Sequence, residues 1–212
     1  MTSDQTGGPE LPDTHREIGR RRLPEGKFRT VLIRRHYDAP VADVWDACTV
    51  PDRLNRWFLQ VSGDLRVGGK FSLEGNASGE ILRCEPPRLL TVTWVYGERP
   101  ANQVELRLAP AGGGTVLELE HAVLDTSVEL DGRLVSAFLN DPETGIWGVP
   151  TGWEMPLVYG LDRYLRGELP DAPATEWFQF TAEVVAQADR IGQAWAEVVA
   201  AAGLDPSGHR AS

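Results

Sequence analysis

Between Leu90 and His121 the sequence alternates apolar and polar residues with a period of two, in three successive segments. Leu90, Val92, Trp94 and Tyr96 share one side of the first, with Thr91 and Thr93 on the other. The second sets Val104, Leu106 and Leu108 against Gln103, Glu105 and Arg107, and the third sets Thr115, Leu117, Leu119 and His121 against Val116, Glu118 and Glu120. Successive side chains of a strand leave opposite faces of a sheet, so this pattern predicts antiparallel strands with one wet face and one covered face. Gly112-Gly113-Gly114 supplies a turn between the last two. Something apolar must cover the inner face.

A helix beginning near Thr151 meets that need. Thr151-Gly-Trp-Glu154 has the spacing of a capping box, and Trp153, Leu157, Leu161, Tyr164 and Leu165 form one stripe. Pro156 sits awkwardly, because inside a helix it removes a hydrogen bond, so the first turn is bent or the regular helix starts nearer Met155. Gly167 and Pro170 end it. Earlier in the chain, the spacing predicts a strand from Phe28 to Tyr37 and two short helices, one over 41–49 and one opened by Pro51. Gly68-Gly69 reads as a tight turn between strands at 65–67 and 71–73, and a further strand covers Gly79 to Cys84. Residues 1–26 lack periodicity and read as a mobile leader. Residues 122–150 are irregular, with Phe138, Ile146 and Trp147 as anchors, and a stretch of that kind suits a lid. A second helix from about Thr175 to Ala202 carries Phe180, Val184, Ala188, Ile191, Trp195 and Val199 on its apolar face.

Charge and composition exclude several function classes. The formal net charge of −10 opposes a nucleic-acid partner, whose phosphates would be repelled. Arg16, Arg20, Arg21 and Arg22 read as a solvated tail rather than a binding patch. No apolar run reaches the length of a membrane span, and the N-terminus has no signal-peptide pattern, so the expected address is the cytoplasm. Cys48 and Cys84 form neither a metal motif nor a disulfide framework, and no cofactor or metal site is expected. Nucleophile-elbow, zinc-protease and phosphate-loop motifs are missing.

Ordered motifs carry a family resemblance. Ala39-Pro40-Val-Ala-Asp-Val44-Trp45, then Pro51-Asp52-Arg-Leu54-Asn-Arg-Trp57-Phe58, resemble the opening of bacterial proteins similar to the C-terminal domain of the Hsp90 ATPase activator. Gly63 to Gly69, Gly79 to Pro87, Leu90 to Trp94, Gly114 to His121 and Gly152-Trp153-Glu154 continue the match in order. That family belongs to the START-like (SRPBCC) superfamily. The resemblance implies an α+β helix-grip fold over residues 27–167, with a curved antiparallel sheet around a long helix; the helix and tail over 168–212, packed on or beside that domain, depart from the family pattern as an addition. It also implies an internal cavity.

Read from the alternation, the walls of that cavity are Phe71, Leu82, Trp94, Tyr96, Val104, Leu106, Leu119, Trp153, Leu157 and Leu161, with Trp57 and Phe58 at the rim. Glu80, in register with Leu82 and Cys84, and His121, in register with Leu117 and Leu119, are ionisable residues on the predicted inner face. Each needs a partner, a water or a ligand there. The leading expectation is a non-catalytic carrier or sensor of a small hydrophobic molecule. The second is an enzyme resembling polyketide cyclases, with His121, Glu80 and Tyr96 as acid/base candidates. The third is an interaction protein using Trp195 and the last helix as a docking or dimer face.

Overall fold

Every strand run predicted from alternation enters one sheet of the computed structural model, which describes residues 13–124, 127–130, 133–136 and 148–204. The strands are β1 (Thr14–Leu23), β2 (Gly26–Tyr37), β3 (Val61–Gly63), β4 (Lys70–Leu73), β5 (Ala77–Glu85), β6 (Leu89–Tyr96), β7 (Asn102–Ala111) and β8 (Gly114–Leu124). They lie in the order β1-β2-β8-β7-β6-β5-β4-β3, each antiparallel to its neighbours. Helices α1 (Val41–Thr49) and α2 (Pro51–Trp57) carry the chain from β2 to β3. A separate small hairpin, β9 (Ser127–Leu130) and β10 (Arg133–Ser136), lies within the segment read as irregular. Phe138, Ile146 and Trp147 lie outside the described residues.

The wet face of the sheet is a charge ladder set by register. Glu118 stands opposite Arg34 on one side and Arg107 on the other. Arg34 donates to it at 2.6 Å and Arg107 at 2.9 Å. Burial pushes the Glu118 carboxyl up, but the two guanidinium groups outweigh it and hold the carboxyl below its ordinary range.

The leader is not all leader. Thr14–Leu23 pairs with β2 from Thr14 opposite Arg35 to Leu23 opposite Gly26, so it forms the edge of the sheet, while residues 1–12 lie outside the described residues. Ile18 is its one strongly apolar inward residue. Backbone pairing and the aliphatic stems of arginines therefore do what apolar alternation does elsewhere. Arg21 donates to Glu120 at 2.8 Å. Arg16 points inward instead, as described below. The strand expected at 65–67 is also absent: Leu65 and Val67 are exposed in a loop, and β3 supplies the partner of β4.

The covering helix has three parts. It is α-helical from Val149 to Met155 (α3), π-helical from Pro156 to Asp162, and α-helical again from Arg163 to Leu165 (α4). Pro156 has no N–H to give the carbonyl of Gly152, and the wider π spacing begins at that residue. The helix starts before Thr151, with Gly148 at its N-cap and Pro150 in its first turn, so Thr151 and Glu154 do not form a capping box. Gly160 lets α2 come close, since a methyl there would lie 2.3 Å from the Trp57 carbonyl oxygen. Gly160→Ala is therefore expected to lose about 1–3 kcal/mol by overpacking, seen as a lower urea midpoint with an unchanged slope.

The tail breaks where one helix was expected. A short α5 (Ala174–Trp177) is followed by extended backbone and then α6 (Ala182–Ala201). Thr181 caps α6, its hydroxyl accepting from the Val184 N–H at 3.2 Å. Phe180, counted on the apolar face, falls in the break and is 84% exposed. Val184, Ile191, Trp195 and Val199 are buried where α6 packs on α3 and β1.

Candidate functional site

Between the inner face of the sheet and the covering helix lies an open cavity. The space available to the centre of a water-sized sphere is about 190 Å³. Its floor includes Phe71, Trp94, Val104, Leu106 and Leu119, its roof Trp153 and Leu157, and its rim Trp57 and Phe58. Five aromatic rings follow one another along it. Trp57 and Phe58 are 5.6 Å apart, Phe58 stacks on Trp153 at 6.0 Å, Trp153 meets Trp94 at 4.8 Å, and Trp94 meets Phe71 at 6.4 Å. Gly79 makes room for the last contact, because a methyl there would lie 2.8 Å from the Phe71 ring.

Other predicted residues do not line the cavity. Leu161 is fully buried but packs into the solid core beside it. Tyr96 has inward parity but lies at the end of β6, 41% exposed, under the Arg99 guanidinium. Leu82 is 41% exposed, and Glu80 stands opposite Lys70 on the other face of the sheet. The cause is a bulge. Ile81 pairs with Val92 but Arg83 pairs with Thr91, so Leu82 is an extra residue and parity inverts across it. Cys84 does line the cavity, and counting back from it in twos selects Leu82 and Glu80; the true wall residue is Ile81. Leu90, Val92 and Leu117 also line it and share parity with residues already named, so alternation held that signal.

Several polar groups of the walls are turned to protein partners. Thr49 donates to the Trp45 carbonyl at 2.8 Å, and the Trp57 indole donates to the Ala47 carbonyl at 2.9 Å. Burial pushes the Cys48 thiol up to about 12, and burial also raises Cys84. Both stay protonated near neutral pH and are poor nucleophiles. Among the described residues no three His, Cys, Asp or Glu side chains converge as a metal site.

His121 lies behind the cavity wall. It is 3% exposed, and the Trp153 indole donates to its Nδ1 at 2.8 Å. Nδ1 is therefore the acceptor and the ring proton sits on Nε2, which has no hydrogen-bond partner among the described residues. Burial pushes its pKa down to about 3. His121 is a neutral hydrogen-bond donor rather than a base, and Glu80 and Tyr96 are not gathered round it.

Sequence reasoning missed a second cluster. Glu154 is completely buried, with Arg16 donating from Nε at 2.8 Å and Nη2 at 2.5 Å. The Trp195 indole donates to the same carboxylate at 2.8 Å. One carboxylate thus ties β1 and α6 to the covering helix. The only sequence signal was an acidic residue within a helical stripe, which reads equally well as a cap.

A curved antiparallel sheet gripping a long helix, with an apolar cavity between them, defines a START-like helix-grip protein. Residues 38–165 match the model of the activator of Hsp90 ATPase homolog 1-like family, and the chain belongs to that family. The crystal structure of CalU16 from Micromonospora echinospora is 45% identical, with a TM-score of 0.68, over 88% of this chain and 98% of that one. The solution structure of the same protein gives 44% identity and a TM-score of 0.71, over 91% and 98%. DynU16, a protein of the dynemicin biosynthetic locus, shares the fold at 23% identity and a TM-score of 0.54, over 67% of this chain and 49% of its own. No curated protein matches the chain. Among the described residues no helix is long and apolar enough to cross a membrane.

Proposed function

We propose that this chain binds a small, largely apolar molecule in the cavity beneath Trp153, as a carrier or sensor without chemistry of its own. The observation that carries the reading is the wall itself: aromatic and aliphatic, open to the outside, with the Trp57 and Trp153 N–H groups engaged elsewhere. Such a site rewards apolar surface, and no charged side chain is among those that line it. The acid/base set that a cyclase-like reaction would need is dispersed, as Glu80 and Tyr96 lie away from the cavity and His121 lies behind its wall. Docking through α6 would have to use its outward residues, because Trp195 is 1% exposed and bonded inward.

The neutral fluorophore N-phenyl-1-naphthylamine tests the reading. Its emission should rise on binding. Val92→Trp, which fills the floor, should weaken binding at least about tenfold, the equivalent of about 1.4 kcal/mol, while the folded near-UV spectrum persists. Leu106→Trp is a second filling variant in case the first disturbs packing. Unchanged affinity in both folded variants would overturn the proposal.

A further inference from the structure

A second cavity lies on the far side of the covering helix, walled by the π-helical segment, the break after α5 and the first turns of α6. Its space for water-sized centres is about 580 Å³. Unlike the first, it mixes apolar and polar walls. Val158 and Val184 are buried beside it, and Trp177 and Phe178 present rings that meet edge to face at 6.1 Å.

Three features give the polar side a direction. Gln187 is 4% exposed, and its carboxamide oxygen accepts from Arg190. Because a guanidinium only donates, that contact fixes which end of the amide is which. The two amide N–H donors are left without a partner among the described residues, in the wall of the cavity. Arg163 also lines it, and its ion partner among the described residues is Glu168 at 3.9 Å, too long for a hydrogen bond. Finally, α6 points its N-terminus here, with Thr181 and Glu183 in the wall. Tyr159 adds a hydroxyl that burial, followed by the nearby Glu183, keeps protonated above its usual range. Donors, positive potential and aromatic surface therefore line the same cavity. Glu183 is the opposing charge, and its side chain is exposed at the edge.

We propose that this cavity is a second binding site, distinct from the one beneath Trp153, that takes a small aromatic carboxylate. The carboxylate sits between Arg163 and the Gln187 amide, and the ring lies against Trp177 and Phe178. A neutral aromatic gains no such anchor and is directed to the first cavity.

The test uses the full chain and 2-naphthoate, followed by the side-chain amide signal of Gln187 and the indole N–H signal of Trp177 in 1H–15N spectra. Both signals should move, and they should still move when N-phenyl-1-naphthylamine saturates the first cavity. Arg163→Gln, at a half-exposed position, should weaken 2-naphthoate binding about tenfold, and Glu183→Gln should strengthen it. Gln187→Leu should weaken it as well. Shifts confined to residues around Trp153, competition with the neutral probe, or unchanged affinity in Arg163→Gln would each overturn the proposal. So would the absence of any shift at millimolar 2-naphthoate.

Discussion

Arg16→Met is expected to remove about 3–5 kcal/mol of unfolding free energy at neutral pH, the usual cost of stripping one partner from a buried ion pair. The asymmetry of the pair sets this size. Glu154 is wholly buried, whereas the Arg16 side chain keeps 12% of its exposure and also reaches the Thr14 carbonyl at 3.2 Å. Without Arg16, the carboxylate retains only the Trp195 N–H among the described residues. Glu154→Leu should cost less, because the arginine left behind lies nearer water. The double variant Arg16→Met with Glu154→Leu should regain most of the single Arg16 loss, since no charge is then stranded. Urea unfolding of the four proteins closes the cycle. A loss below about 1 kcal/mol for Arg16→Met would put the pair among ordinary surface bridges. A double variant no more stable than the single would show that Arg16 acts by packing.

That cluster also marks the boundary of what could be read from the sequence. The sheet was legible because β6, β7 and β8 are amphipathic, and alternation reports amphipathic strands directly. The edge strand β1 was not, because its inward face is Thr14, Arg16 and Ile18 rather than an apolar row. Besides its backbone pairing with β2, it is tied down by a partner 138 residues away, which no local pattern records. Nine of the fourteen named wall residues line the cavity, Trp57, Phe58, Trp94 and Trp153 among them. The misplacement of Glu80 and Leu82 has a different origin. A one-residue bulge changes the parity of everything before it, yet leaves composition and strand length intact. The break before α6 was legible in principle: Thr181 followed by Ala-Glu-Val is an N-cap signal, overridden in the reading by the continuous apolar stripe.

His121 should make the protein acid-labile over a window that the fold itself defines. Unfolded, the imidazole takes a proton below about pH 6.5. Folded, it resists until about pH 3, because burial disfavours the charged ring. Between those values the unfolded state binds the extra proton, so unfolding free energy falls as pH falls, by about 1.4 kcal/mol per unit. Above the upper value both states are neutral and the contribution is flat. His121→Gln removes the titration but keeps an acceptor for the Trp153 indole, so its loss at neutral pH should be modest. Subtracting the variant's stability from the wild type's isolates the effect, since the Glu118 ion pairs are common to both and cancel. The difference should turn against the wild type by about 2–3 kcal/mol between pH 6 and pH 4. Parallel curves, or a His121 resonance titrating near 6.5, would show the ring meeting water in the folded state. The same measurement bears on function. An imidazole that stays neutral to about pH 3, with its proton on Nε2 and Nδ1 held by Trp153, can donate a hydrogen bond but cannot draw a proton from a bound molecule. A midpoint near neutrality would return His121 to the list of bases; a depressed one keeps the cavity a place for binding.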